Sequence, residues 1–395
     1  MLSKKKKVMS LVAGSMLLAS AASAEVKFSG GAELDLFYKT NQTEAFDTNK
    51  ARGGFGQEAA ITLNIDGIHD VADNAVIKNV KWRLAQKVAT DYRYDPFGAR
   101  EAWIGTETTF GELRAGNQFS NMYLVLDGTP NGMNNFMGDF GAHEVQYGRA
   151  ISYFSPVFEG FQLLAQYDLG GKKNRMAWDF NNSQNPVDAG ITTSYAYEVL
   201  LNYDSTYFGA NLGYYRGINS GTSDFAPNVF GGESNTDMGG FYGTNERTAE
   251  EYLARVTFKY EGFKLFTTFS HSVLEGRWND DTFDFLDSAN WNTRINKFDV
   301  GATYNFMEKH TVGLGYVQVF DSRFFDGESV LEDNKNGLNS FYGQYTYQFT
   351  DNISTFVQAR YATLNTRGDS SLAPDGIADN AKNVARILIG TYISF

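Results

Sequence analysis

Hydrophobic side chains recur at every second position in segment after segment of this chain, a spacing that puts one row on each face of a β-strand. Val26, Phe28, Leu34 and Leu36 oppose Lys27, Ser29, Glu33 and Asp35, while Ala59, Ile61, Leu63 and Ile65 oppose Glu58, Thr62, Asn64 and Asp66. Tyr195, Tyr197, Val199, Leu201 and Tyr203 stand against Glu198 and Asn202. Alternate positions from Ala385 through Ile387, Ile389, Thr391 and Ile393 to Phe395 also read apolar, against a mixed row of Arg386, Gly390, Tyr392 and Ser394. The alternation is clearest at 26–38, 57–67, 76–89, 193–204, 250–260, 296–306 and 339–349. Further segments at 98–107, 111–117, 145–155, 161–169, 207–216, 263–272, 310–320, 353–365 and 383–395 bring the number to sixteen. An even number of strands, apolar on one face and polar on the other, predicts an all-β fold: a transmembrane antiparallel β-barrel with lipid outside and water inside.

The connections test that assignment independently, because barrels alternate short turns with long loops. Thr108-Thr109-Phe110, Asp204-Ser205-Thr206, Glu261-Gly262, Met307-Glu308-Lys309 and Thr350-Asp351-Asn352 read as short turns. Between them lie long polar stretches near 170–192, 217–249, 273–295, 321–338 and 366–382. No repeated blade of constant length is visible, which sets aside a β-propeller.

Residues 1–24 have a different character: four lysines at Lys4 to Lys7, an apolar run from Val8 to Ala19, and a small-residue finish at Ala22-Ser23-Ala24. That is the layout of a cleavable secretory signal peptide, leaving 25–395 as one barrel domain. The apolar run is too short for a spanning helix, and no later segment is long enough. The 395 residues include no Cys, which excludes a disulfide framework and any thiolate metal site, and only 6 Pro. There are 23 Tyr and 32 Phe, an aromatic excess suited to girdles at two membrane interfaces. Formal net charge is −12, and without the four signal lysines it is more acidic still, so nucleic acid is an improbable partner and cations are favoured near the molecule.

The segment Ala99 to Gln118 (AREAWIGTETTFGELRAGNQ) resembles the Arg-x-Ala-aromatic-x-Gly strand, tight turn and Phe-Gly-x-Leu-x-x-Gly strand of the Gram-negative general-diffusion porins. Ser155-Pro156-Val157-Phe158-Glu159-Gly160-Phe161 resembles the Ser-Pro-x-Phe-x-Gly turn of the family's neisserial and β-proteobacterial branch. With the strand Lys78 to Gln86 and the terminal Phe395, the resemblance spans essentially the whole chain after the signal. It implies a sixteen-stranded barrel in the outer membrane, a homotrimer contacting lipid and lipopolysaccharide, that passes ions and small hydrophilic solutes passively without a cofactor.

In these porins the third external loop folds into the lumen, and the corresponding loop here is Gln118 to Glu144. Its carboxylates Asp127, Asp139 and Glu144 are the candidates for an acidic side of the constriction. For the basic side the resemblance points to Arg100, whose parity with Ala102 and Ile104, against Trp103, aims it inward. Arg114 shares an inward row with Glu112 and Gly116, and Lys81, Arg83 and Lys87 oppose outward Trp82 and Leu84. Charge rows facing one another across a narrow channel produce a transverse field that orients polar solutes and penalises apolar ones. Two positions depart from the family pattern, Glu58 where an arginine is common and Ala85 where a glutamate is common. Arg149 shares the outward parity of Ile151 and Tyr153.

Outer-membrane enzymes, adhesins and oligosaccharide- or anion-specific channels share the barrel. Enzyme chemistry finds no support: His69, His143, His271 and His310 are scattered, with no Gly-x-Ser-x-Gly or His-based metal spacing. Asp280, Asp281, Asp284 and Asp287 cluster, but a solvated acidic loop accounts for them. An oligosaccharide channel wants an aromatic track in the lumen, whereas most Tyr and Phe fall on the outward parity. Outward Gly30 and Ala32 on the first strand are candidates for close packing between subunits.

Overall fold

A computed structural model describes residues 24–44, 47–71, 76–89, 99–127, 146–169, 195–218, 244–278, 290–326, 329–365 and 383–395. Its strands are β1 (Ala24–Glu44), β2 (Asp47–Asp70), β3 (Ile77–Ala89), β4 (Ala99–Thr108), β5 (Gly111–Phe119), β6 (Gln146–Phe154), β7 (Phe161–Asp168) and β8 (Tyr195–Asp204). They continue with β9 (Phe208–Ile218), β10 (Thr244–Tyr260), β11 (Phe263–Trp278), β12 (Asn290–Phe306), β13 (His310–Asp326), β14 (Ser329–Thr350), β15 (Ile353–Asn365) and β16 (Asn383–Ser394). Each strand pairs antiparallel with its sequence neighbours, and β1 pairs β16, so the sixteen close into a barrel with no free edge.

Large apolar side chains lie on the outer surface in quantities that only lipid tolerates, with Phe28 66%, Leu314 65% and Ile387 55% exposed. Side chains of the opposite parity turn inward, where Asp35, Glu198, Glu251 and Asp299 are buried. Arg149 is exposed on the outer face, as its parity requires.

The short turns follow the expected positions. Glu159-Gly160 and Glu261-Gly262 both carry two successive positive φ angles, the mirror-image turn whose twist matches a β-hairpin, and glycine supplies the second position without strain. The long connections differ from expectation at three places: β10 begins at Thr244 inside 217–249, β11 and β12 extend to Trp278 and from Asn290 inside 273–295, and β13 and β14 run to Asp326 and from Ser329 inside 321–338; β1 and β2 also outrun their alternating segments, to Glu44 and from Asp47. Stretches read as loop therefore continue as paired strands. Beyond the bilayer a hairpin needs no apolar row, so its strands lose the alternation that marks them inside it.

The last residue adds one more pair to the closing seam between β1 and β16. The Gly30 N–H donates to the Phe395 carbonyl at 2.9 Å and the Phe395 N–H donates back at 3.1 Å. A Cβ on Gly30 would lie 2.3 Å from the Thr62 carbonyl oxygen and 2.7 Å from the Phe395 ring, so the backbone and the terminal ring together keep this position small.

Candidate functional site

One helix, α1 (Asn121–Asp127), follows β5 within the stretch expected to fold inward, and it rests on the inner faces of β8 and β9. Ser120 caps it, its Oγ accepting the Tyr123 N–H at 3.1 Å. The same hydroxyl donates to Glu198 Oε2 of β8 at 2.6 Å, and Glu198 Oε1 accepts the Asn121 N–H. Glu198 is 1% exposed, and these donors compensate its charge. From β7, Gln166 accepts from the Asn121 side chain at 3.4 Å and donates to the Phe119 carbonyl at 3.1 Å. Met122 is fully buried against Gly213 of β9, where an added Cβ would meet its Cγ and Sδ at 3.3 Å. The far end is held from β10: Arg255 Nη1 donates to the Val125 carbonyl at 2.6 Å while its guanidinium lies 5.1 Å over the Phe266 ring. Four consecutive strands thus pin this helix against one side of the barrel interior.

Lys81, Arg83 and Arg114 turn inward, and each is matched by carboxylates: those of Lys81 and Arg83 come from neighbouring strands, and that of Arg114 is Glu112, two residues back on its own strand. Arg83 grips Asp66 with Nε to Oδ1 at 2.6 Å and Nη2 to Oδ2 at 3.2 Å, and reaches Glu101 at 3.2 Å. Lys81 pairs with Glu107 at 2.6 Å and Glu112 at 3.2 Å. Arg114 pairs with Glu112 and lies 4.3 Å from the centres of both the Trp103 and Phe154 rings. The cause is register: Asp66 sits directly across from Arg83, and Glu107 across from Glu112, beside Lys81. This sector is a zipper of alternating charge rather than a cationic row. Lys87 lies across from Thr62 on the same inner row, half-buried.

The parity argument for Arg100 is corrected. Trp103 stands across from inward Arg83 and donates its indole N–H to Glu101 at 3.2 Å, whereas Ile104 is 58% exposed on the outer surface. The inner row of β4 is therefore Glu101, Trp103, Gly105 and Glu107. Between Ala85↔Glu101 and Gln86↔Ala99 the register slips by one residue, and Arg100 is the extra residue, a bulge that strict alternation cannot anticipate. The side chains of Arg100 and Asp127 lie outside the described residues, as do Asp139 and Glu144 altogether.

A second set of inner cations escaped the sequence reading. Arg360 of β15 and Arg386 of β16 stand directly across from one another. Arg386 lies 5.2 Å from the Phe37 ring centre, and Arg360 Nε donates to Ser340 Oγ at 2.8 Å. Beside Arg360 across the β14 pairing is Tyr342, whose hydroxyl donates to Asp299 Oδ1 at 3.1 Å. Lys297 and Asp299 are both 2% exposed. The parity signal was present, since Arg360 and Arg386 occupy polar rows opposite Val357, Ile387 and Ile389. Family motifs, however, drew attention to β3–β5.

A family model described as Gram-negative porin matches residues 10–368. The major outer membrane protein P.IA of Neisseria meningitidis serogroup B is 25% identical over 92% of this chain and 95% of its own. Among solved structures, the anion-selective porin from Comamonas acidovorans aligns with a TM-score of 0.66 at 15% identity, covering 94% of this chain and 100% of that one. A trimer form of OmpT, an outer membrane protein of Vibrio cholerae, aligns with a TM-score of 0.62 at 13% identity, covering 94% and 99%.

Proposed function

This chain belongs to the Gram-negative porins and forms a diffusion channel in the outer membrane, and we propose that α1 narrows its lumen while the Arg360–Arg386 rung governs which ions pass. The observation that carries the reading is the pinning of α1 inside a closed barrel. A helix held against β7–β10 leaves solute the space bounded by the remaining strands, and the inner rows of those strands bring Arg360 and Arg386 to that space. The Lys81, Arg83 and Arg114 zipper contributes little net field, because each cation has a carboxylate within ion-pair distance. Arg100, Lys87 and the loop carboxylates Asp127, Asp139 and Glu144 complete the charged constriction in this reading.

Transport is passive: no step needs a nucleophile, a metal or a bound cofactor. Residues 1–24 act as the export signal, and the mature barrel assembles as a homotrimer in contact with lipid and lipopolysaccharide; the trimer form of the similar OmpT supports the assembly. The test is ion selectivity in a planar bilayer under a salt gradient. Arg386→Gln and Arg360→Gln are each expected to move the reversal potential toward cations, and a potential unchanged in both variants would remove the rung from the selective region.

A further inference from the structure

Several inward cations have a carboxylate at ion-pair distance: Lys81, Arg83, Arg114 and, nearer the short turns, Lys259 with Asp204. Arg255 of β10 differs. Among the described residues no carboxylate lies within ion-pair distance of it, and its one hydrogen bond runs from Nη1 to the Val125 carbonyl at 2.6 Å. A carbonyl brings no countercharge, so that contact fixes the guanidinium without neutralising it. Phe266 supports the group at 5.1 Å, and Nε is buried without a hydrogen-bond partner. The carboxylate whose field reaches Arg255 is Asp299 of β12, and it acts on Lys297 and Arg360 as well. One negative charge is thus shared among three cations, and it is tied in addition to the Tyr342 hydroxyl. The open part of the barrel interior that Arg255 borders has Asp204 as its only carboxylate, which Lys259 already holds.

We infer that Arg255 is a specificity-determining residue of the channel: it clamps the last turn of α1, and its locally unpaired charge favours anions beside that helix, so one side chain sets both aperture and ion preference. The inference rests on the reading that α1 narrows the lumen. A clamp alone could be a neutral amide, since an N–H donor is all that the Val125 carbonyl requires. A cation adds two things. It complements the negative end of the helix, and it acts on every ion that passes through a narrow lumen between low-dielectric walls, where fields are stronger than in water. Ser120 holds the start of the same helix without any charge of its own, which allows the two contributions to be separated.

The experiment compares Arg255→Met, Arg255→Lys and Ser120→Ala in planar bilayers under a salt gradient, with sugar uptake into liposomes measured in parallel. Arg255→Met removes clamp and charge together. It should give a noisier open channel, admit larger sugars, and raise the cation-to-anion permeability ratio about threefold, the effect of losing a unit charge about 7 Å from the ion path at a screening length of about 10 Å. Arg255→Lys should keep the permeability ratio near that of the parent, whereas Ser120→Ala should raise noise and uptake with little change in the ratio. The difference in ratio between Arg255→Met and Arg255→Lys should shrink as salt is raised, because it is electrostatic; a purely structural role would leave it unscreened. If Arg255→Met does not fold, Arg255→Gln replaces it in the same comparison. Equal ratios in the Lys variant and the neutral variant would overturn the charge role, and parental noise and uptake in the neutral variant would overturn the clamp. If Ser120→Ala and the neutral variant both leave noise and uptake at parental values, the failure belongs to the narrowing by α1, and the permeability ratios still decide the charge.

Discussion

Arg83 and Arg386 are both inward arginines set in different surroundings. Arg83 spans Asp66 and Glu101, so Arg83→Gln leaves two carboxylates in the wall without their cation. We expect it to make the channel markedly more cation-preferring, read as a reversal-potential shift at least as large as that of Arg386→Gln; no shift would mean that this zipper lies outside the path of ions. Packing constrains the row in a second way. Tyr342 lies across Gly315 with its hydroxyl on Asp299, and a Cβ at Gly315 would fall 2.1 Å from the ring. Gly315→Val should displace the tyrosine and destabilise the barrel by about 1–3 kcal/mol, measured as a lower unfolding temperature on heat-modifiable gel mobility. Retained stability would show that Tyr342 has another resting place. Which side chains face the lumen was largely legible from parity: Lys81, Arg83, Lys87 and Arg114 all turn inward. The neutralisation of Lys81 and Arg83 was not, because it depends on cross-strand register, and a register is invisible until two strands are laid side by side; Glu112 beside Arg114 already stood in the same inward row. Arg100 shows the complementary limit, since one bulge between Ala99 and Glu101 breaks the alternation that parity relies on.

At the scale of elements, α1 illustrates how a seven-residue helix, too short to persist alone, is stabilised by the wall it leans on. Glu198 is the centre of that anchorage. Removing it with Glu198→Ala strands the Ser120 hydroxyl, at a cost of about 1–3 kcal/mol for a buried donor left unsatisfied, and leaves the Asn121 N–H only Gln166 Oε1 at 3.3 Å. The expected outcome is a noisier open channel and faster uptake of larger sugars in liposome swelling, with Glu198→Gln intermediate. Unchanged noise and uptake in Glu198→Ala would place the narrowing elsewhere. The sequence located the loop through the strands on either side of it, but not the anchors, because Gln166, Glu198 and Arg255 are 45 to 130 residues away from their partners and belong to ordinary polar rows. The hairpins formed by β1–β2 and β13–β14 beyond the lipid were missed for a related reason: without lipid to face, neither row has cause to be apolar. The sixteen elements themselves were legible because a bilayer imposes the same two-faced pattern on each of them.

For the whole molecule, closure and channel are one property, since a barrel open between β1 and β16 would expose unpaired backbone to hydrocarbon. Gly30 and Phe395 extend that seam, where a Cβ on Gly30 would meet both the Thr62 carbonyl and the terminal ring. Gly30→Val should slow folding into detergent or lipid more than it alters the conductance of molecules that do fold, a difference visible by comparing folded yield with single-channel steps; normal yield would relieve the seam of that role. The central claim is that solute crosses through the interior of this closed barrel, past a pinned α1. Its most direct test is single-channel recording of the purified, refolded protein in a planar bilayer under a salt gradient. The account predicts steady open steps closing in thirds, with a reversal potential that moves toward cations in Arg386→Gln. Protein verified as folded that carries no current would contradict it.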